Sequence, residues 1–197
     1  MADTRAATID NLYEVGGEKA ELVDGRIVPM SPTGFLPHYA ADEIYTSLRD
    51  YARRTRTGYA FSDNAGFAVD LPNRKSFSPD AAFYTGRPTG MKFLEGAPVF
   101  AVEVRSENDY GTSAEQAMAE KRADYFAAGT LVVWDVDILS DDVIRAYHAA
   151  IPNHAPEHSQ RYRRGEQAAA ELAVPGWTLN VDLLFPYYIE PSTSDYV

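Results

Sequence analysis

Cysteine is absent from the 197 residues. Disulfides, thiolate metal sites and cysteine nucleophiles are therefore excluded, and the chain suits a reducing cytoplasm. No apolar run approaches the roughly 18 residues of a membrane span. The start, Met1-Ala2-Asp3-Thr4-Arg5, lacks the apolar stretch of a secretory signal. A soluble, cytoplasmic protein is the expectation. Positive charge is scarce: 18 Lys and Arg against 29 Asp and Glu give a net charge of -11 and a pI near 4.7. That balance counts against a broad non-specific nucleic-acid surface, whose affinity is mainly electrostatic. It leaves room for a locally basic groove, because net charge is a sum and a site is not. Histidine is limited to four residues. His154 and His158 are four apart, but Pro152 and Pro156 interrupt their segment, which argues against a metal site there. Repeats and low-complexity tracts are missing too.

What is present reads as one domain over residues 1–197, with an N-terminal arm (1–20), a flexible loop (149–160) and a tail (186–197). Ile9, Leu12, Tyr13 and Val15 are the apolar residues of the arm, a short helical candidate. Ala20–Met30 carries a hairpin signal, with Asp24-Gly25 as a tight turn between two short strands. Tyr39, Ile44, Tyr45, Leu48 and Tyr51 recur at helical spacing and predict a helix over 37–57, stopped by Gly58. Ala60–Leu71 reads as a strand broken at Asp63-Asn64-Ala65-Gly66, and Phe77–Tyr84 as a strand with Pro79 near its start or at a bulge. Pro98–Arg105 alternates: Phe100, Val102 and Val104 face one way, Ala101, Glu103 and Arg105 the other. Ser113–Ala128 is rich in helix formers and ends at Gly129. Leu131–Asp137 follows as a buried strand. Strand, helix and strand in that order make a crossover unit, so strands 98–105 and 131–137 should be parallel. Val143–His148 should pair antiparallel, and Arg161–Glu171 is a hairpin candidate around Arg164-Gly165-Glu166. The fold class is α/β (α+β), with a mixed central sheet flanked by helices.

Three charged residues carry the chemistry: Asp80 in Ser78-Pro79-Asp80, Glu103 in Val102-Glu103-Val104-Arg105, and Lys121 on the 113–128 helix. Hard divalent cations such as Mg²⁺ take oxygen ligands, often one or two carboxylates with water and phosphate. Two carboxylates on neighbouring strands suit that requirement. Met118, Lys121 and Tyr125 share one helix face, and an inward lysine needs a partner. Glu103 is the available one. An ion pair that merely tethers helix to sheet would have the same spacing. Asp109 is either a near-site acid or a loop residue at the helix start. Arg49, Arg53, Arg54 and Arg56, and the patch Arg161, Arg163 and Arg164, are each either backbone contacts for nucleic acid or solvated surface. Asp135 and Asp137 read as solvating or capping the end of their strand.

The ordered set Ala20-Glu21-Leu22-Val23-Asp24-Gly25-Arg26-Ile27, Met30-Ser31-Pro32, His38, Ser78-Pro79-Asp80, Val102-Glu103-Val104-Arg105-Ser106 and Glu120-Lys121-Arg122…Tyr125…Gly129, with Trp134-Asp135-Val136-Asp137 and the close Val174-Pro175-Gly176-Trp177, resembles the Uma2 family. Its members are restriction-endonuclease-like proteins of bacteria in the PD-(D/E)XK nuclease superfamily, and the likeness spans about residues 10–185. The resemblance implies a restriction-endonuclease-like fold and a metal-dependent endonuclease acting on DNA. It implies Asp80 and Glu103 as ligands for Mg²⁺ or Mn²⁺, Glu21 assisting from the hairpin, and His38 contacting phosphate or shuttling a proton. The superfamily's lysine usually stands two residues after the glutamate, where this chain has Arg105. Arginine stays protonated and is a poor base. The catalytic role therefore passes to Lys121, as in family members that use the helix lysine, and Arg105 is left for substrate or structural support. The serine of the second motif is followed by Glu107 rather than the proline of many relatives. A homodimer is the expected assembly, since double-strand cleavage benefits from two sites. The alternative is a catalytically inactive nuclease fold serving as a binding or assembly module.

Overall fold

The computed structural model describes residues 6–14, 19–149 and 159–187. In chain order its elements are α1 (Ile9–Glu14), β1 (Ala20–Val23), β2 (Arg26–Pro29), α2 (Phe35–Thr55), β3 (Tyr59–Ser62), β4 (Phe67–Ala68), β5 (Ser76–Phe77), β6 (Ala81–Tyr84), β7 (Leu94–Glu95), β8 (Phe100–Val104), α3 (Thr112–Ala127), β9 (Val132–Val136), β10 (Ile144–His148), β11 (Ser159–Tyr162), β12 (Gln167–Ala169), β13 (Thr178–Asn180) and a final 3-10 turn, Val181–Leu184. The main sheet has six strands in the order β11-β10-β9-β8-β6-β3. β8 and β9 are parallel, joined through α3, and the other neighbours are antiparallel. This is the mixed α/β sheet the crossover pattern predicts.

The sheet buries both faces. On one, α2 lays Ala41, Ile44, Leu48 and Tyr51 over Phe100, Val102 and Trp134, with Trp177 and Leu179 of the closing segment completing the core. α2 stops at Thr55, ahead of Gly58, because Arg56 takes the left-handed conformation and returns its N–H to Ala52. On the other face Phe67, Phe77, Tyr84, Ala101 and Val133 gather around Tyr125 of α3.

Tyr125 is the single fully buried residue of α3, with Phe126 packed beside it against the sheet. Ion pairs add to that contact. Glu115 receives Arg105, Lys121 reaches Glu103 and Glu21, and Asp124 accepts Arg74 Nε at 2.8 Å. Arg105 follows β8 directly. Its Nε and Nη2 each donate to Asp135 of β9 at 2.7 Å, a bidentate pair, while Nη1 and Nη2 also meet Glu115. With its side chain 2% exposed, Arg105 clamps the two parallel strands to the helix. These carboxylates hold its pKa above the usual arginine value.

The β1–β2 hairpin turns at Asp24 and Gly25, both at positive φ as a two-residue hairpin turn requires. It is fastened to the body by segment 73–76. Leu22 N–H donates to Ser76 Oγ at 2.8 Å, and Lys75 N–H to Leu22 O at 2.8 Å. Its deepest anchor is Glu21. One oxygen accepts Arg74 Nη1 at 2.5 Å; the other accepts Ser78 N–H and the Lys121 ammonium, each at 2.9 Å.

Several boundaries differ from expectation. The 60–71 segment yields β3 and the short β4, which pairs with β5 and β7 in a separate small sheet. Phe77–Tyr84 divides into β5 and β6, with Ser78-Pro79-Asp80 between them, because proline cannot donate to the ladder. Arg161–Glu171 is not a hairpin. β11 joins β10 of the main sheet, whereas β12 pairs with β13, so the turn at Arg164-Gly165-Glu166 passes between two sheets. Buried Tyr162 and Ala168 belong to the same core, which both partnerships serve. In the predicted 149–160 loop, Ser159 and Gln160 are strand; 150–158, which include His154 and His158, lie outside the described residues, as do Val15 of the arm and 188–197 of the tail.

Two expectations follow. Glu21→Gln leaves Arg74 and Lys121 short of a buried partner and should cost about 3 kcal/mol or more. Because its surroundings lower the Glu21 pKa below the ordinary 4.5, its stabilisation is complete above that value and is lost as pH falls through the lower folded value. Thermal melts between pH 7 and pH 3 should show this acid-sensitive component in the wild type and not in the variant. Arg105→Lys cannot make the bidentate pair and should lower the melting temperature by roughly 6–12 °C, the equivalent of about 3 kcal/mol. An unchanged melting temperature would contradict the clamp.

Candidate active site

The registers Ser62↔Ala81, Ala81↔Val102 and Glu103↔Asp135 carry one line across four strands. Along it lie Asp63, Asp80, Glu103 and Asp135, which share the parity of Phe61, Ala82, Ala101 and Val133 and so face α3. Side chains opposite one another on adjacent strands are direct neighbours, and like charges there repel. Each carboxylate in the row is met by a cation from outside the ladder. Lys19, just before β1, places Nζ 2.5 Å from Asp63 Oδ1 and 2.8 Å from Asp80 Oδ1. Lys121 gives Glu103 Oε2 a hydrogen bond of 2.9 Å. Arg105 holds Asp135.

The middle of the row forms one wall of a cleft of ≈ 720 Å³, bounded by the hairpin, the start of α2 and one face of α3. Asp80 is fixed from the backbone: its N–H donates to Val102 O at 3.0 Å, and its Oδ2 accepts Val104 N–H at 2.8 Å. Glu103 is held at both oxygens, by Lys121 and by the Tyr125 hydroxyl, 2.7 Å from Oε1. The Tyr125 ring stacks on Phe77 with centroids 4.0 Å apart, which fixes the hydroxyl.

Glu21 and Glu103 share Lys121 yet titrate in opposite directions. Burial raises both. For Glu21, Lys121, Arg74 and the Ser78 N–H overcome it, and the carboxyl falls below the ordinary value. For Glu103, burial prevails over Lys121 with the help of the Asp80 and Glu21 charges, and the carboxyl is pushed up to about 7. Burial opposes the charge on Lys121 too, but the two glutamates outweigh it and raise its pKa. Lys121 is therefore an ammonium throughout the ordinary pH range. Tyr125 lies well above its usual value, through burial and the adjacent Glu103.

The structure brings Asp80, Glu103, Lys121 and Glu21 together. It does not bring His38 to them: His38 lies on the rim of the cleft, exposed, facing Asp42 at 3.5 Å. Arg105 reaches the cleft's end, its guanidinium committed to Asp135 and Glu115. Asp109 accepts Ser106 N–H and Oγ–H, each at 2.7 Å, and so closes its own loop. Arg161 and Arg163 share Asp142, and Arg164 pairs with Asp182, so each arginine of that patch has an acidic partner. Arg49 and Arg54 lie over the rings of Tyr45 and Tyr51.

Sequence reasoning missed Lys19, Arg74, Asp63 and Asp124 and read Asp135 as solvating or capping its strand end, where the structure buries it against Arg105. One signal was legible: Lys19 and Glu21 are two apart, the period that puts both on one face of a strand.

Two carboxylates fit a hard divalent ion, which need take no more than that from protein. Among the described residues no three histidine or acidic side chains converge closely enough to hold an ion. The electrostatics fit as well. In this cluster five acidic residues, Glu21, Asp63, Asp80, Glu103 and Asp124, share the three cations Lys19, Arg74 and Lys121.

Comparison with known proteins agrees with this architecture. The crystal structure of "a putative nuclease belonging to DUF820 from Anabaena variabilis" superposes with a TM-score of 0.69, covering 90% of this chain and 97% of that one at 14% identity. The two chains share a fold. No curated protein matches the sequence. The Uma2 family model, described as "Putative restriction endonuclease", matches residues 7–182. That match runs from before the hairpin into the closing 3-10 turn and includes every residue of the carboxylate row, and the chain belongs to the Uma2 family.

Proposed function

We propose that this cleft hydrolyses DNA phosphodiester bonds with the help of Mg²⁺ or Mn²⁺, that Asp80 and Glu103 hold the ion, and that Lys121 is the cation beside the reacting phosphate. The observation that carries the proposal is that Asp80, just before β6, lies opposite Glu103 of β8 at the wall of a cleft, with Lys121 on Glu103. A divalent ion there supplies Lewis-acid stabilisation of a phosphoryl oxygen and lowers the pKa of bound water. The chain's own residues supply the preorganisation. Val104 N–H and the Tyr125 hydroxyl keep the two carboxylates in fixed orientations, which avoids reorganisation during reaction. Lys121, held as an ammonium, is a poor proton acceptor. Its task is to orient the attacking water and offset charge developing on phosphoryl oxygens. Glu21 acts through Lys121 and Arg74 as a positioning residue. His38, on the rim, is placed to meet a phosphate of the entering strand.

DNA as substrate fits a site whose negative charge needs a bound cation before a polyanion can approach. Cutting both strands needs two such sites, which makes a homodimer the working assembly. Among the described residues no helix is long and apolar enough to cross a membrane. One observation favours the rival, a binding or assembly module: the lysines already neutralise much of the carboxylate charge.

Incubation with supercoiled plasmid and Mg²⁺ or Mn²⁺ separates the two. The wild type should nick or linearise the plasmid, and Asp80→Asn, Glu103→Gln and Lys121→Met should each lose roughly 10²-fold or more. Equal cleavage by wild type and variants would remove these residues from the mechanism, and no cleavage by a folded wild type would favour the rival.

A further inference from the structure

We propose that Lys19 is a built-in competitor for the divalent ion and sets the affinity of the cleft, with Asp63 as the carboxylate that retains the lysine when Asp80 is engaged elsewhere. The inference rests on the metal-binding role proposed for Asp80 and Glu103. Asp80 Oδ2 is already committed to Val104 N–H, and Lys19 Nζ lies 2.8 Å from the remaining oxygen, Oδ1. An ion bound at Asp80 must share that oxygen with the ammonium or displace it. Two cations on one carboxylate repel strongly in a partly buried site, and the Lys19 side chain is only 14% exposed.

The lysine has a second resting place within reach. Asp63 Oδ1 is 2.5 Å from Nζ and is itself pinned by a 2.8 Å hydrogen bond from Asn64 N–H. Lys19 cannot withdraw along the backbone, because its carbonyl accepts Met30 N–H at 2.8 Å in an extension of the hairpin. Its freedom is an arc between two carboxylates. Lys121 differs: it bridges two glutamates and touches neither oxygen of Asp80. Removal of Lys19 should therefore tighten metal binding, and removal of Asp63 should weaken it by leaving Asp80 as the lysine's sole partner.

Calorimetric titration of Mn²⁺ and Mg²⁺ tests this without reference to cleavage, with folding of each variant checked by melts in chelator. Lys19→Met should bind about tenfold tighter than wild type or better, and Lys19→Arg within about twofold of it. Asp63→Asn should bind about tenfold weaker, but in the Lys19→Met background it should change affinity by less than about twofold. Unchanged or weaker binding by Lys19→Met overturns the competitor role while leaving the metal site standing. A loss from Asp63→Asn that persists without Lys19 overturns the retaining role of Asp63. Absence of binding by wild type and every variant overturns the metal site together with the competitor. Binding by Lys19→Met alone supports it. Should Lys19→Met fail to fold, Asp63→Asn and Lys19→Arg still decide: tighter binding by the first or tenfold altered binding by the second contradicts the proposal.

Discussion

Like charges in a row across a β-sheet need counter-charges, and that constraint organises this molecule. Asp63, Asp80, Glu103 and Asp135 occupy one level on one face of four adjacent strands. Left alone they would repel one another in a partly dry environment. The chain answers with cations from three directions: Lys19 from ahead of the hairpin, Lys121 from α3, and Arg105 from the end of β8. Lys19 ties the hairpin to the sheet, and Lys121 and Arg105 both tie α3 to it, so the electrostatics of the row and the assembly of the cleft are one problem. These ion pairs add to the apolar contact that α3 makes through Tyr125 and Phe126.

The two ends of the row have different fates. At Asp135 the contact is direct and bidentate: Arg105 meets both of its oxygens and also reaches Glu115. Among the described residues Asp80 and Glu103 have no bidentate partner; each takes a lysine at one oxygen. Burial and neighbouring carboxylates push Glu103 up to about 7, while Glu21, with Arg74 and a backbone N–H in addition to Lys121, falls below the ordinary range. A carboxylate with surplus negative neighbours beside one with surplus partners marks where a further cation is favourable. The middle of the row is where a function is proposed, and at its Asp135 end Arg105 ties β8, β9 and α3 together.

The pattern of elements was legible because it is local. Alternation in Pro98–Arg105, the helix formers of Ser113–Ala128 and the apolar run after Gly129 together imply the parallel pair that the sheet contains. Asp24-Gly25 announces the hairpin. The Arg161–Glu171 segment misled because its turn is a hairpin turn in composition but joins strands of different sheets, a choice made by distant partners β10 and β13. The carboxylate–lysine set was legible as residue types in order. Its connections were not. Lys19 meets a carboxylate 61 residues away, and Arg74 one 50 residues away; nothing in local sequence encodes such pairs. Arg105 was legible as the odd residue at a lysine's usual place, but its bidentate partner on β9 is visible only once the parallel register is known. That register makes Arg105 a clamp between β8, β9 and α3.

The proposed seat of the divalent ion, between Asp80 and Glu103, is open to anomalous diffraction from crystals soaked in Mn²⁺. A manganese peak is expected within coordination distance of carboxylate oxygens of both Asp80 and Glu103, absent from Glu103→Gln crystals treated alike. A peak elsewhere in the cleft, or none at saturating Mn²⁺, would contradict it.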